Sequence, residues 1–203
     1  MSDVWVFGSA AWDLVYEIDQ MPESGGRATA RSLGRRAGGS TANVARALGS
    51  AGHRVRLVAQ VGTDDLGTAL LDELGSWGVD TAAVLRYRAC TPETMVFVGK
   101  SAERSIVVLE KDCAAAVPVP YSALADADGI FIGRYADFEP ELSAFLRREP
   151  LGLVVTAVPP PTATELDWFA HIVIGSSSEY PAGWLAAPFD ALVLTLSGAL
   201  VLT

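Results

Sequence analysis

Short apolar runs alternate with helical repeats along most of this chain, and that alternation limits its fold more than any other feature. Val4 to Phe7 is one such run, closed by Gly8. Val55 to Val61, Gly129 to Ile132, Leu151 to Val155, His171 to Ile174 and Ala191 to Leu196 continue the series. Runs this short and this apolar read as strands buried on both faces. Between them lie segments with apolar residues at helical spacing, such as Leu66, Leu70, Leu71, Leu74 and Trp77, and a further helix is expected over Glu139 to Arg148. Strand and helix in turn predict an α/β fold: a doubly wound, mainly parallel sheet flanked by helices.

Two segments do not fit that layer. Leu14, Tyr16 and Ile18 alternate with Val15, Glu17 and Asp19, the period of a half-exposed strand. The turn cluster Met21 to Gly26 follows, and Ala28 to Arg35 pairs back. Thr94 to Val98 and Ser105 to Leu109 read as a hairpin. Together these predict a small antiparallel β lid, with strands at about 14–35 and 94–109, inserted within one domain spanning 1–203. No repeat or low-complexity linker divides the chain.

Charge narrows the partners. Fifteen Lys and Arg stand against 24 Asp and Glu, a formal net charge of −9. Such a surface repels phosphate backbones and anionic lipid, which argues against nucleic acid and membrane, though not against a small anion in a local site. With 50% apolar residues the chain has ample material for a core. Cys90 and Cys113 form no CxxC pair and read as reduced, partly buried thiols. The start MSDVWVFG resembles no signal peptide, and no apolar run reaches the roughly 18 residues that span a bilayer, so a cytoplasmic protein is expected.

Ligands of open α/β sheets bind at the carboxyl ends of strands. Three features fall there. Asp13 follows the first strand, where a carboxylate can hold sugar hydroxyls by charge-assisted hydrogen bonds or simply serve a turn. Gly38-Gly39-Ser40-Thr41-Ala42-Asn43 is a glycine loop opening a helix, with free N–H groups at its start and Ser40 or Thr41 as cap. It carries no lysine and no GxGxxG spacing, which disfavours a P-loop or a dinucleotide fingerprint. Gly62-Thr63-Asp64-Asp65-Leu66-Gly67 reads as a helix N-cap at Asp64. His53 and His171 have no carboxylate or cysteine at ligand spacing.

In this order the pieces resemble the PfkB or ribokinase-like family of sugar and nucleoside kinases. The resemblance is carried by VWVFGSAAWDLVYEIDQMP, RRAGGSTANVARALGSAGHRVRLVAQVGTDDLGTALLDELGSWGVDT and VFVGKSAERSIVV, so it is strongest over Val4 to Val108. It implies a doubly wound domain under a β lid and transfer of the ATP γ-phosphoryl group, with Mg²⁺, to a substrate hydroxyl. By matching position it implies that Asp13, Gly38, Gly39 and Asn43 contact the substrate. It also implies a homodimer through the lid, as in some relatives. Arg104 matches a common family arginine of the lid.

The second half departs from that pattern. The family's Asn-x-x-Glu motif appears as Ser176-Ser177-Ser178-Glu179, leaving Glu179 as the implied Mg²⁺ ligand. Thr195-Leu196-Ser197-Gly198 is a distorted form of the strand end near the nucleotide, implying Thr195 and Gly198 as cofactor-binding residues. No Asp-Thr-x-Gly-Ala-Gly-Asp-like run occurs, and with it the family's anion hole and catalytic base are missing from these residues. The expectation is a kinase polypeptide that is C-terminally incomplete and inactive as it stands, whether a fragment, a truncated product or a degenerate homologue. The alternatives are a non-catalytic sugar- or nucleoside-binding protein and a half that needs a partner chain. The apolar run Ala191 to Thr203 reads as interior sheet.

Overall fold

The computed structural model describes residues 1–88, 90–100, 103–109, 117–133, 141–148, 152–156, 172–176, 191–196 and 199–202. An eight-stranded sheet forms its centre. Its parallel strands are β1 (Asp3–Phe7), β4 (Arg54–Val58), β6 (Val79–Asp80), β10 (Gly129–Ile132), β11 (Leu153–Thr156), β12 (Ile172–Ser176) and β13 (Ala191–Leu196). β14 (Ala199–Leu202) folds back antiparallel on β13 at the edge.

The lid strands are β2 (Ala11–Ile18), β3 (Ala30–Gly38), β8 (Glu93–Val98) and β9 (Arg104–Leu109), in the order β3-β2-β8-β9. Its outer pairs are antiparallel, but β2 and β8 run parallel, so the lid is a mixed sheet and not the fully antiparallel one expected. Alternation within each strand could not reveal this, because the direction of pairing between distant segments is decided by the connection. The expected single strand over 55–61 is two: β4 ends at Val58, and β5 (Gln60–Gly62) pairs with β7 (Leu85–Tyr87) in a separate ribbon.

Helices cover both faces. α1 (Ser40–Ser50) and α2 (Asp65–Ser76) place Ala42, Ala45, Leu70 and Leu74 against Val6, Val55 and Leu57. α3 (Tyr121–Leu124) and α4 (Glu141–Arg148) place Leu124, Leu142 and Leu146 against Trp5, Phe7 and Ile132 on the other face. The alternating residues of β1 thus feed two cores, as a strand buried on both faces must. Each fully buried Leu contributes about 1.5–3 kcal/mol over leaving it in water.

The strand order sets the position of the site. β1 lies between β4 and β10. The chain fills β4 and β6 on one side of β1, then crosses to β10 and steps outward to β13. The crevice beyond the carboxyl end of β1 is therefore the topological switch point, where such sheets bind ligands.

Candidate functional site

A cleft of about 1260 Å³ opens at that switch point, between the end of β1, the start of α1 and the inner face of the lid. Asp13, Gly39 and Asn43 all line it, although 30 positions separate the first from the last. Asp13 comes from the root of β2 and Asn43 from the first turn of α1.

The glycine pair seats the carboxylate. Gly38 is buried behind Asp13, and a Cβ there would fall on the Asp13 carboxyl group. Gly39 is the N-cap residue of α1 with φ +88°, and a Cβ there would stand 2.8 Å from the Ser9 carbonyl oxygen. Only glycine meets both the left-handed backbone and the close approach. The helix start is then locked by the Ala42 N–H donating to the Ser9 carbonyl at 3.2 Å.

Neither Ser40 nor Thr41 caps α1 as expected, since the cap is Gly39 and no side chain accepts from the helix. Thr41 is fully buried, and its hydroxyl donates instead to the Phe7 carbonyl at 3.4 Å. The Ser40 hydroxyl lies 3.5 Å from that of Ser9, at the mouth of the cleft. The α1 N–H groups thus remain unclaimed by a side-chain cap beside Asp13.

Burial pushes the Asp13 carboxyl above the usual aspartate range, while the Gly39 N–H and the nearby Arg36 and Arg104 guanidinium groups oppose the rise. Arg36 and Asp13 are directly opposed in the β2–β3 register. Asp64 shows the reverse balance. Burial pushes it up too, but the Thr91 hydroxyl, the Thr91 N–H and the Gly67 N–H together hold it below the ordinary value. Its Oδ1 accepts from Gly67 and Oδ2 from Thr91, each at 2.9 Å, and the Thr91 hydroxyl also donates to Oδ1. Asp64 is the N-cap of α2, as its sequence context predicts.

The lid is rooted on α2. The indole N–H of the buried Trp12 donates to the Leu66 carbonyl at 2.9 Å, and Glu73 accepts from the Ala37 N–H at 2.9 Å. Arg35 covers the Trp12 ring at 4.4 Å.

Several lining residues escaped the sequence reading: Arg36, Arg46, Gln60 and Thr94. Arg46 had a usable signal, since it lies three residues beyond Asn43 and so on the same helix face. Arg104, noted in the lid, lines the cleft too. The implied nucleotide residues are less defined. Thr195 lies on β13 opposite Ser176 of β12, while Gly198 and Glu179 fall outside the described residues, as do Cys113 and His171. Among the described residues no group of three or more His, Cys, Asp or Glu side chains could hold a metal. Cys90 is a free thiol and is exposed, where a partly buried one was expected. No helix among the described residues is long and apolar enough to cross a membrane.

The model of the pfkB family carbohydrate kinases matches residues 1–146. An ATP-dependent ribose-1-phosphate kinase of Halopiger xanaduensis is 40% identical over 77 residues, which are 38% of this chain and 26% of that protein. The ribokinase of Bacillus subtilis is 34% identical over 110 residues, 54% of this chain and 38% of that protein. The matched segments thus span between a quarter and two fifths of these curated relatives. The crystal structure of ribokinase from Thermotoga maritima superimposes with a TM-score of 0.79 at 19% identity, covering 100% of this chain and 75% of that one. At that identity the likeness is one of fold.

Proposed function

The chain belongs to the pfkB family of carbohydrate kinases, and on that premise we propose that its cleft binds a sugar, a pentose in the first instance, for ATP-dependent phosphorylation of a hydroxyl. The observation that carries the reading is the seat of Asp13: a half-buried carboxylate beside Gly39 and Asn43, at the switch point and under a lid. An ionised carboxylate there accepts hydrogen bonds from sugar hydroxyls, and the Asn43 amide can both donate and accept. The names of the two sequence relatives share a ribose unit, which supports a pentose.

ATP supplies the phosphoryl group in this family, with Mg²⁺ neutralising the phosphates. From the resemblance we assign Thr195 of β13, with Gly198, to nucleotide binding and Glu179 to the Mg²⁺. β13 lies four strands from β1 in the sheet order. At about 4.8 Å per strand that is roughly 19 Å, so the phosphate chain would have to reach along the carboxyl edge toward Asp13. The 203 residues contain no Gly-Ala-Gly-Asp-like run to act as anion hole and base. By themselves they are therefore expected to bind the sugar without turning it over.

Two measurements test this. Calorimetry with ribose should show binding that Asp13→Asn weakens about tenfold or more, the usual worth of a hydrogen bond to a charged group. A coupled assay with ATP and a sugar panel should stay at background. Unchanged affinity in the variant sinks the site assignment, and robust turnover sinks the claim of inactivity. We further assign the outward side of the lid's edge strand β9, where Val107 is exposed, to a lid-mediated homodimer, as in some family members.

A further inference from the structure

The two halves of the lid meet without a turn between them. β3 follows β2 directly in the chain, and β9 follows β8, so the short connections fix the register of those antiparallel pairs. β2 and β8 run parallel, with α1, β4, α2 and the β5–β7 ribbon between them in the chain. A tight turn cannot join strands that run this way. Burial does not choose their register either. β8 is half-buried at every position, with Thr94, Val96 and Val98 lining the cleft and Met95 and Phe97 alternating with them. A slip of one residue would exchange the two sets, and both are mostly apolar. Met95 and Phe97 would then turn toward the cleft, and Asp13 would lose Thr94 as its neighbour on β8.

A clamp stands at the entry to β8. Thr91, two residues before the strand, is fully buried. Its N–H donates to Asp64 Oδ2 at 2.9 Å, and its hydroxyl donates to Oδ1. The same hydroxyl accepts from the Gly62 N–H at 3.2 Å. Gly67 leaves the room for this, since a Cβ there would collide with the Gly62 carbonyl oxygen and stand 2.7 Å from the Thr91 hydroxyl oxygen. The next residue, Pro92, accepts from the Trp12 N–H at 2.9 Å. There the β2–β8 ladder starts, with Trp12 opposite Glu93 and Asp13 opposite Thr94. Capping α2 uses the bond from Gly67, and the two bonds from Thr91 lie outside that cap. The stacked rings of Tyr16 and Phe97, 5.6 Å apart, support the same register further along the pair.

We propose that Thr91 is a positioning residue: clamped on Asp64, it fixes the register of β8 against β2 and so the alignment of Asp13 with Thr94 in the cleft. β9 is carried along by its pairing with β8, so the clamp places two of the lid's four strands. Only the expected effect on binding rests on the sugar-site reading above.

The full chain is compared with Thr91→Val, which keeps the side-chain shape and loses the hydroxyl, and with Thr91→Ser, which keeps the hydroxyl. Amide hydrogen exchange is followed segment by segment, and ribose affinity by calorimetry. Thr91→Val should speed exchange about tenfold or more in the paired stretches 12–17 and 93–98, while β1, β4 and β10 keep their protection. Ribose affinity should fall about tenfold. Thr91→Ser should recover most of both. Should Thr91→Val not fold, Asp64→Asn makes the same comparison: its amide oxygen still caps α2, but one of the two acceptors for Thr91 is gone. The lid should then loosen while the first turn of α2 stays protected. Parent-like exchange in the lid of the variant overturns the proposal. So does protection lost evenly over lid and central sheet, which marks general destabilisation. A loosened lid with unchanged ribose affinity overturns it as well. If ribose gives no heat with the parent chain, the sugar-site reading fails, and exchange in the lid alone decides the clamp.

Discussion

At the residue scale two aspartates in one chain are driven in opposite directions, and their consequences differ in sign. Asp13 is raised by burial, so its ionised form is disfavoured in the folded state. Its contribution to stability is fully present below the unfolded pKa and is lost as pH rises through the folded value. Asp13→Asn should therefore be no less stable than the parent at neutral pH while binding sugar more weakly, and thermal melts across pH will show it. A variant much less stable at neutral pH would contradict this. Asp64 is lowered, so its contribution is present above the unfolded pKa and is lost as pH falls through the folded one. Asp64→Ala removes the α2 cap and should cost about 1–2 kcal/mol near neutrality, with the gap to the parent narrowing in acid. Denaturant melts at several pH values check it, and a gap that widens in acid would refute it.

At the scale of elements, the lid depends on its root. Trp12 is buried between β2 and α2 and hydrogen-bonded to Leu66. Trp12→Ala should cost about 3–5 kcal/mol through the cavity it leaves. If the root also aims Asp13, then Trp12→Phe, which keeps most of the ring volume but not the N–H donor, should weaken ribose binding more than it lowers the melting temperature would suggest. Ribose affinity unchanged in a folded Trp12→Phe protein would separate root from site. The elements themselves were largely legible. The strand at Gly129–Ile132 and the Asp64-capped helix follow from local pattern alone. The cap of α1 was not, because Ser, Thr and Gly are all acceptable N-caps and only the approach of Ser9 and Phe7 chooses among them.

For the whole molecule, β9 is an edge strand of the lid, and Val107, 44% exposed, lies on the side opposite the cleft that Ile106 and Val108 line. An unpaired apolar edge invites pairing with another chain. Light scattering should give a dimer that Val107→Lys, outside the cleft, shifts toward monomer. A parent protein that is monomeric at all concentrations would refute the lid dimer.

The sequence by itself determined the α/β architecture, the two apolar faces of β1, the Asp64 cap and the candidates Asp13, Gly38, Gly39 and Asn43, since each rests on periodicity, turn chemistry or a motif within a short segment. Only the tertiary structure decided that β2 and β8 pair in parallel, that Gly38 makes room for the Asp13 carboxyl, and that Arg36, Arg46 and Arg104 meet at one cleft. Those are relations between residues far apart in the chain, and local pattern carries no information about which distant side chains the folded backbone brings within reach.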